Sequence, residues 1–175
     1  MAEQKLTPLF LKTVSQKFDL ETIFLINLSD KGIMGGVGSL GECTNLMHLD
    51  ISKNRLTMLT GIEGCINLRV LDLSFNKLTT IDALKGCINI ERLDLQGNLI
   101  KDCKPIDRIS PYLTKLKNLY LQEFTGENGN PCCWTKAYRP AIKAAFPDLS
   151  SLDGQRLGAG ELLDMKELGI DGKEQ

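Results

Sequence analysis

Cys43, Cys65 and Cys87 recur every 22 residues, and Asp50, Asp72, Asp94 and Asn54, Asn76, Asn98 recur at the same period. Thiolates and carboxylates ligate metals, and a cysteine beside a histidine can make a thiol nucleophile, so the pattern is either chemistry or architecture. A metal site needs ligands that converge, yet no C-x-x-C occurs and His48 is the single histidine. Nothing in the start MAEQKLTPLF resembles the basic, then apolar, opening of a signal peptide. The six cysteines are therefore expected as reduced thiols in the cytosol or nucleus, with Cys43, Cys65 and Cys87 acting as small buried hydrophobes. Cys132 and Cys133 are adjacent at the start of a predicted helix, where a thiol pKa can fall; packing is the default there and a redox role the alternative. A thiol hydrolase would also need an oxyanion loop and an orienting third residue, and neither is apparent. The glycine-rich KGIMGGVGSLG (31–41) lacks the Lys-Ser/Thr ending of a phosphate loop. No catalytic residue, cofactor or metal is expected.

The elements that position these residues follow from the apolar frame. Leu46, Leu49, Ile51, Asn54 and Leu56 spell L-x-x-L-x-I-x-x-N-x-L; Leu68, Leu71, Leu73, Asn76 and Leu78 repeat it 22 residues on, and Ile90, Leu93, Leu95, Asn98 and Ile100 repeat it again. Ile23, Ile26, Leu28 and Ile33 form a weaker first copy with Lys31 in place of the asparagine, and Leu116, Leu119 and Leu121 form a fifth. Each L-x-L is a short strand whose alternate residues point in and out. Each asparagine turns inward to satisfy backbone groups of the turn that leaves the strand. Asn45, Asn67 and Asn89, just before the strands, serve loop backbone in the same way. One unit cannot bury its apolar face, so the units stack. The short period leaves room only for a turn or 3₁₀ helix on the convex side.

Open stack ends need covers. Thr7 as N-cap and Pro8 as first helical residue predict an N-terminal lid helix packing through Leu6, Leu9, Phe10, Val14 and Phe18. Residues 132–146 suit a C-terminal helix carrying Tyr138, Ile142 and Phe146, stopped by Pro147, with Trp134 packed in this cap and Leu149 and Leu152 resuming strand spacing. The predicted fold is α/β: a right-handed leucine-rich-repeat solenoid with five to six short parallel strands on its concave face and helical caps at both ends. The chain divides as 1–20 N-terminal cap, 21–129 repeats, 130–157 C-terminal cap and 158–175 acidic tail, all in one domain of 1–175. In the tail Leu162, Leu163 and Leu168 could line one short helix.

The repeats resemble those of 22-residue phosphatase-regulator-like leucine-rich-repeat proteins. The ending Asn130-Pro131, Tyr138-Arg139, Pro147-Asp148-Leu149, Leu152-Asp153-Gly154 is similar to the C-terminal cap of small intracellular members, which include an axonemal dynein light chain and the A-prime protein of a spliceosomal particle. That resemblance implies a fold and a class of binding modules, with no activity. The departure from it is QEFTGENG (122–129), inserted where a regular repeat would reach its asparagine.

Strand alternation places Asp50, Asp72, Asp94 and Tyr120 in one concave row, and His48, Val70, Arg92 and Asn118 in the next. Like charges on neighbouring strands repel by about a few tenths of a kcal/mol. Either Lys53 and Arg92 neutralise the row, or it docks a basic partner. Phe75, at a strand exit, and Tyr120 are the aromatic contact candidates, with local packing the alternative for Phe75. The expected partner-binding set is His48, Asp50, Val70, Asp72, Phe75, Arg92, Asp94 and Tyr120. The expected partner is a protein, in the form of a basic helix or peptide. A net charge of −1 and an acidic concave face argue against nucleic acid, and no apolar run approaches a membrane span. The remaining expectations are no small-molecule substrate, no membrane, a monomer apart from its partner, and a cytoplasmic, cytoskeletal, ciliary or nuclear location.

Overall fold

The computed structural model describes residues 4–158. Strands β1 (Leu25–Asn27), β2 (Met34–Gly35), β3 (His48–Asp50), β4 (Arg55–Leu56), β5 (Val70–Asp72), β6 (Arg92–Asp94), β7 (Asn118–Tyr120), β8 (Ser151–Leu152) and β9 (Gln155–Arg156) are short, as the three-residue L-x-L strings require. One sheet runs β1-β3-β5-β6-β7-β8-β9, parallel through β8 and closed by the antiparallel β9. The register sets Leu49 beside Leu71, Leu93 and Leu119, so one residue of each repeat falls into the same column. The middle residue of each of these strands is buried, and its neighbours are exposed or half-buried except for Asp94, which is buried. Met34 and Gly35 pair with Arg55 and Leu56 in a second, two-stranded sheet.

The interior is a column of leucine and isoleucine, with Cys43, Cys65 and Cys87 among its fully buried members. Burial pushes these thiols up, to about 11 for Cys43 and about 12 for Cys65 and Cys87. On the far side of the stack, 3₁₀ turns at Gly38–Glu42 and Asp82–Gly86 and helix α2 (Lys104–Ile109) connect the strands. The repeats approach so closely there that a Cβ on Gly64 would lie 2.3 Å from the Gly41 carbonyl oxygen, and one on Gly86 would lie 2.6 Å from that of Glu63. Glycine is required at both places.

The caps differ from expectation in detail. Helix α1 (Pro8–Ser15) starts as predicted, with the Phe10 amide donating to Thr7 Oγ1 at 3.2 Å. Its inward face carries Phe10, Leu11 and Val14, joined by Leu6 from the preceding chain. Leu9 is exposed within α1, and Phe18 is exposed because the helix ends in a left-handed turn at Gln16 before Phe18 is reached. The C-terminal helix is shorter than expected: a 3₁₀ turn at Pro131–Trp134 precedes α3 (Tyr138–Ala145). Trp134 does not pack in the cap; it is 76 % exposed. The proposed tail helix through Leu162, Leu163 and Leu168 lies outside the described residues.

Candidate binding face

Each strand must turn sharply as it leaves the sheet, and two ladders of side chains manage that turn. The inner ladder is asparagine. Asn76 Nδ2 donates to the carbonyls of Ile51, Leu73 and Ser74, while its Oδ1 accepts from the Leu56 amide at 3.0 Å. Asn54 and Asn98 make the same set one repeat before and after. In the first repeat, where Lys31 stands at the asparagine position, Asn54 Oδ1 itself accepts from the Lys31 and Ile33 amides. Asn130 completes the ladder: it donates to Leu95 O and Leu121 O and accepts from the Ile100 amide. Residues 122–129 are therefore looped out, and Asn130 takes the ladder position across the insert. In the first four repeats the residue before the asparagine position, namely Asp30, Lys53, Phe75 and Gly97, has a φ of 55°, 54°, 55° and 66°. This left-handed ladder costs a non-glycine residue about 1 kcal/mol, and only Gly97 signals it in the sequence.

The outer ladder is the acidic row. Asp50 Oδ1 accepts from the Ser52 amide at 3.0 Å and its hydroxyl at 2.7 Å, Asp72 Oδ1 from the Ser74 amide at 2.9 Å, and Asp94 Oδ1 from the Gln96 amide at 3.2 Å. Asn27 repeats the bond to Ser29 in β1. The aspartates thus have a structural task, an Asx turn at the strand exit. One carboxylate oxygen is enough for it. The register sets Asn27, Asp50, Asp72, Asp94 and Tyr120 side by side, as alternation predicts. Asp50 and Asp72 are half-buried, whereas Asp94 is 7 % exposed. Burial, then repulsion from Asp72, raises the Asp94 carboxyl to about 6. Arg92 does not act simply as a neutralising partner; its guanidinium stacks 4.7 Å from the centroid of the Tyr120 ring.

The neighbouring row is Leu25, His48, Val70, Arg92, Asn118 and Ser151. Leu25 was not among the sequence candidates, because the first repeat is irregular, yet it is 67 % exposed beside His48. Together the two rows line a shallow open groove from Leu25 and Asn27 across to Arg92 and Asp94. Phe75 stands apart from it, half-buried, its ring so close to Gly97 that a Cβ there would lie 2.7 Å from Cδ1. That contact is the local packing alternative for Phe75. Of the sequence candidates, then, the groove holds His48, Asp50, Val70, Asp72, Arg92 and Asp94, with Tyr120 next to it on β7. Among the described residues no buried side-chain nitrogen or oxygen lacks a partner, and no group of three or more His, Cys, Asp or Glu is placed to hold a metal ion.

Residues 44–100 match the family model described as leucine rich repeat. The fold is a leucine-rich-repeat solenoid. Among solved structures, the chain is similar to one in the Drosophila melanogaster SNF/U2A' complex, with 20 % identity, a TM-score of 0.70, and coverage of 98 % of this chain and 95 % of that one. It also resembles internalin C2 of Listeria monocytogenes, at 21 % identity and a TM-score of 0.58, over 81 % of this chain and 60 % of the internalin. A second internalin from that organism, inlF, matches at 19 % identity and a TM-score of 0.56, over 81 % of this chain and 46 % of that chain. At such identities the likeness is one of fold. No curated protein sequence matches the chain. Among the described residues no helix is long and apolar enough to cross a membrane.

Proposed function

We propose that this chain is a non-enzymatic protein-interaction module, an adaptor or scaffold that takes a basic peptide or helix along the groove of its sheet. The observation that carries the reading is one open face on which half-buried Asp50 and Asp72 alternate with apolar Leu25 and Val70 and the Tyr120 ring. Asp50 and Asp72 each use one oxygen for the turn, so they present negative charge without loss of the fold. A cationic partner relieves the repulsion between neighbouring carboxylates, and the apolar positions supply desolvated contact. The likeness to a chain of the SNF/U2A' complex supports a role in an assembly. The finer resemblance, to leucine-rich repeat-containing protein 61, belongs to this proposal and rests on LTPLFLKTVSQKFDLETIFLINL and the cap motifs. A cytoplasmic, ciliary or nuclear setting is proposed on the same ground.

The second reading is a fixed subunit of a larger complex, dynein-like or ribonucleoprotein, held by its convex loops or cap. Exposed Ile66, Ile88, Phe124 and Trp134, all outside the strands, favour it. A photo-crosslinking residue at Val70 and, separately, at Trp134 distinguishes the two. The groove reading expects the partner to be captured from Val70 alone. Capture only from Trp134, with stoichiometric co-purification that survives high salt, would support the second reading and overturn the first.

A further inference from the structure

The groove is lined by carboxylates and apolar groups, with one arginine among them. Arg92 stands in the row of His48 and Val70, one strand beyond Val70, and it is exposed. On the adjoining row Asp72 lies on the strand beside it, and Asp94 follows two residues along its own strand. An arginine flanked by two carboxylates is expected to fork onto one of them. It does not. Among the described residues the Arg92 guanidinium makes no ion pair and no hydrogen bond. The aspartates are engaged with their own turns: Asp72 Oδ1 accepts from the Ser74 amide, and the Asp94 oxygens accept from the Gln96 amide at 3.2 Å and its side-chain amide at 3.5 Å. The Arg92 guanidinium sits instead over the Tyr120 ring, 4.7 Å from its centroid. Stacking occupies a face of the guanidinium and leaves the N–H donors at its edge for another acceptor.

Such a group restricts what the groove accepts. A uniformly basic segment would set a cation against Arg92, and repulsion there opposes the attraction at Asp50 and Asp72. A carboxylate at that register meets a planar fork already held in place by the ring, which suits a bidentate pair. We propose that Arg92 selects the partner: the bound segment carries basic side chains for Asp50 and Asp72, an apolar side chain for Val70, and a glutamate side chain for Arg92. This rests on the groove reading above and narrows it from a basic segment to one of mixed charge in a set order. Arg92 lies on β6 at one end of the groove and Leu25 on β1 at the other, so the same charge order fixes which way the segment points.

The probe is a set of acetylated, amidated synthetic peptides of about 15 residues, long enough to span the roughly 15 Å of three strand spacings from β1 to β6. Each carries two lysines and a leucine, placed at every mutual spacing, and one further position that is glutamate, glutamine or lysine. Fluorescence anisotropy with the full chain reads the affinities. The unaltered protein should bind the tightest glutamate peptide at least about tenfold more tightly than its lysine counterpart, with the glutamine form between them. Arg92→Glu should reverse that order. Arg92→Gln, which adds no carboxylate beside Asp72 and Asp94, should reduce the preference to within about twofold. An arginine that only stacks on Tyr120 or offsets Asp94 predicts no preference in the unaltered chain and no change in the variants. Equal binding of the glutamate and lysine forms, with both weakened by Asp72→Lys, would overturn selection by Arg92 and leave the basic-partner reading standing. Failure of every peptide to bind would count against both.

Discussion

The asparagine and aspartate ladders share a period and a neighbourhood, yet they divide the work of the repeat. Each of Asn54, Asn76 and Asn98 is buried and donates to three backbone carbonyls while accepting from at least one amide. Asp50 and Asp72 accept through one oxygen at the rim of the turn. An amide carries donor and acceptor, so it can saturate a turn that must shed both kinds of unpaired group. A carboxylate only accepts, and at an exposed strand exit one such bond leaves charge to spare. The difference teaches that periodicity marks structure in both ladders, while burial and hydrogen-bond count decide which one is free to bind.

The largest break in the comparison comes from the inner ladder. Asn76→Ala leaves the Leu56 amide and the Ile51 and Leu73 carbonyls without their partner in the core, and should cost about 3 kcal/mol or more in a urea melt. Asn130→Ala should fall within about 1 kcal/mol of Asn98→Ala in the same assay, since the two fill one ladder position across the looped-out insert. A near-neutral Asn130→Ala would return residue 130 to the cap alone.

Asp94 is where the two ladders blur, being an aspartate that is also buried. Its carboxyl, raised from 3.8 to about 6, favours folding only while protonated. That contribution is full below about pH 4 and is lost as pH rises through about 6. Asp94→Asn keeps an acceptor for the Gln96 amide and should stabilise the protein by about 1–2 kcal/mol at pH 7, with the gain vanishing near pH 4. Thermal melts at both pH values check it. The smallest effect belongs to Asp72→Asn, which retains the turn acceptor and removes one like charge; its melting curve should shift by less than about 0.5 kcal/mol.

Much of this was legible in the sequence because one repeat constrains the next. The L-x-L register, the inward asparagines, the concave rows and the Thr7–Pro8 start all follow from residue type and spacing. What was hidden depends on contacts between segments that share no period. Asn130 serves the stack only because residues 122–129 loop out, and linear spacing assigns it to the cap. Trp134 looked like core by type, but a 3₁₀ turn that ends before α3 begins leaves it outside. Gly64 and Gly86 recur beside the ladder cysteines, a readable signal whose reason is the close approach of turn backbones. Leu25 escaped because the first repeat lacks its asparagine, and the Arg92–Tyr120 stack because the pair is diagonal across two strands.

The division of labour is tested most directly by combining Asp72→Lys with Tyr120→Ala and measuring both stability and partners in one preparation. Neither change touches the asparagine ladder, so the melting temperature should stay within a few degrees of the unaltered chain, while quantitative affinity purification with mass spectrometry should lose the bound protein. A partner set unchanged by the double substitution, in a protein that melts normally, would contradict the assignment of binding to this face.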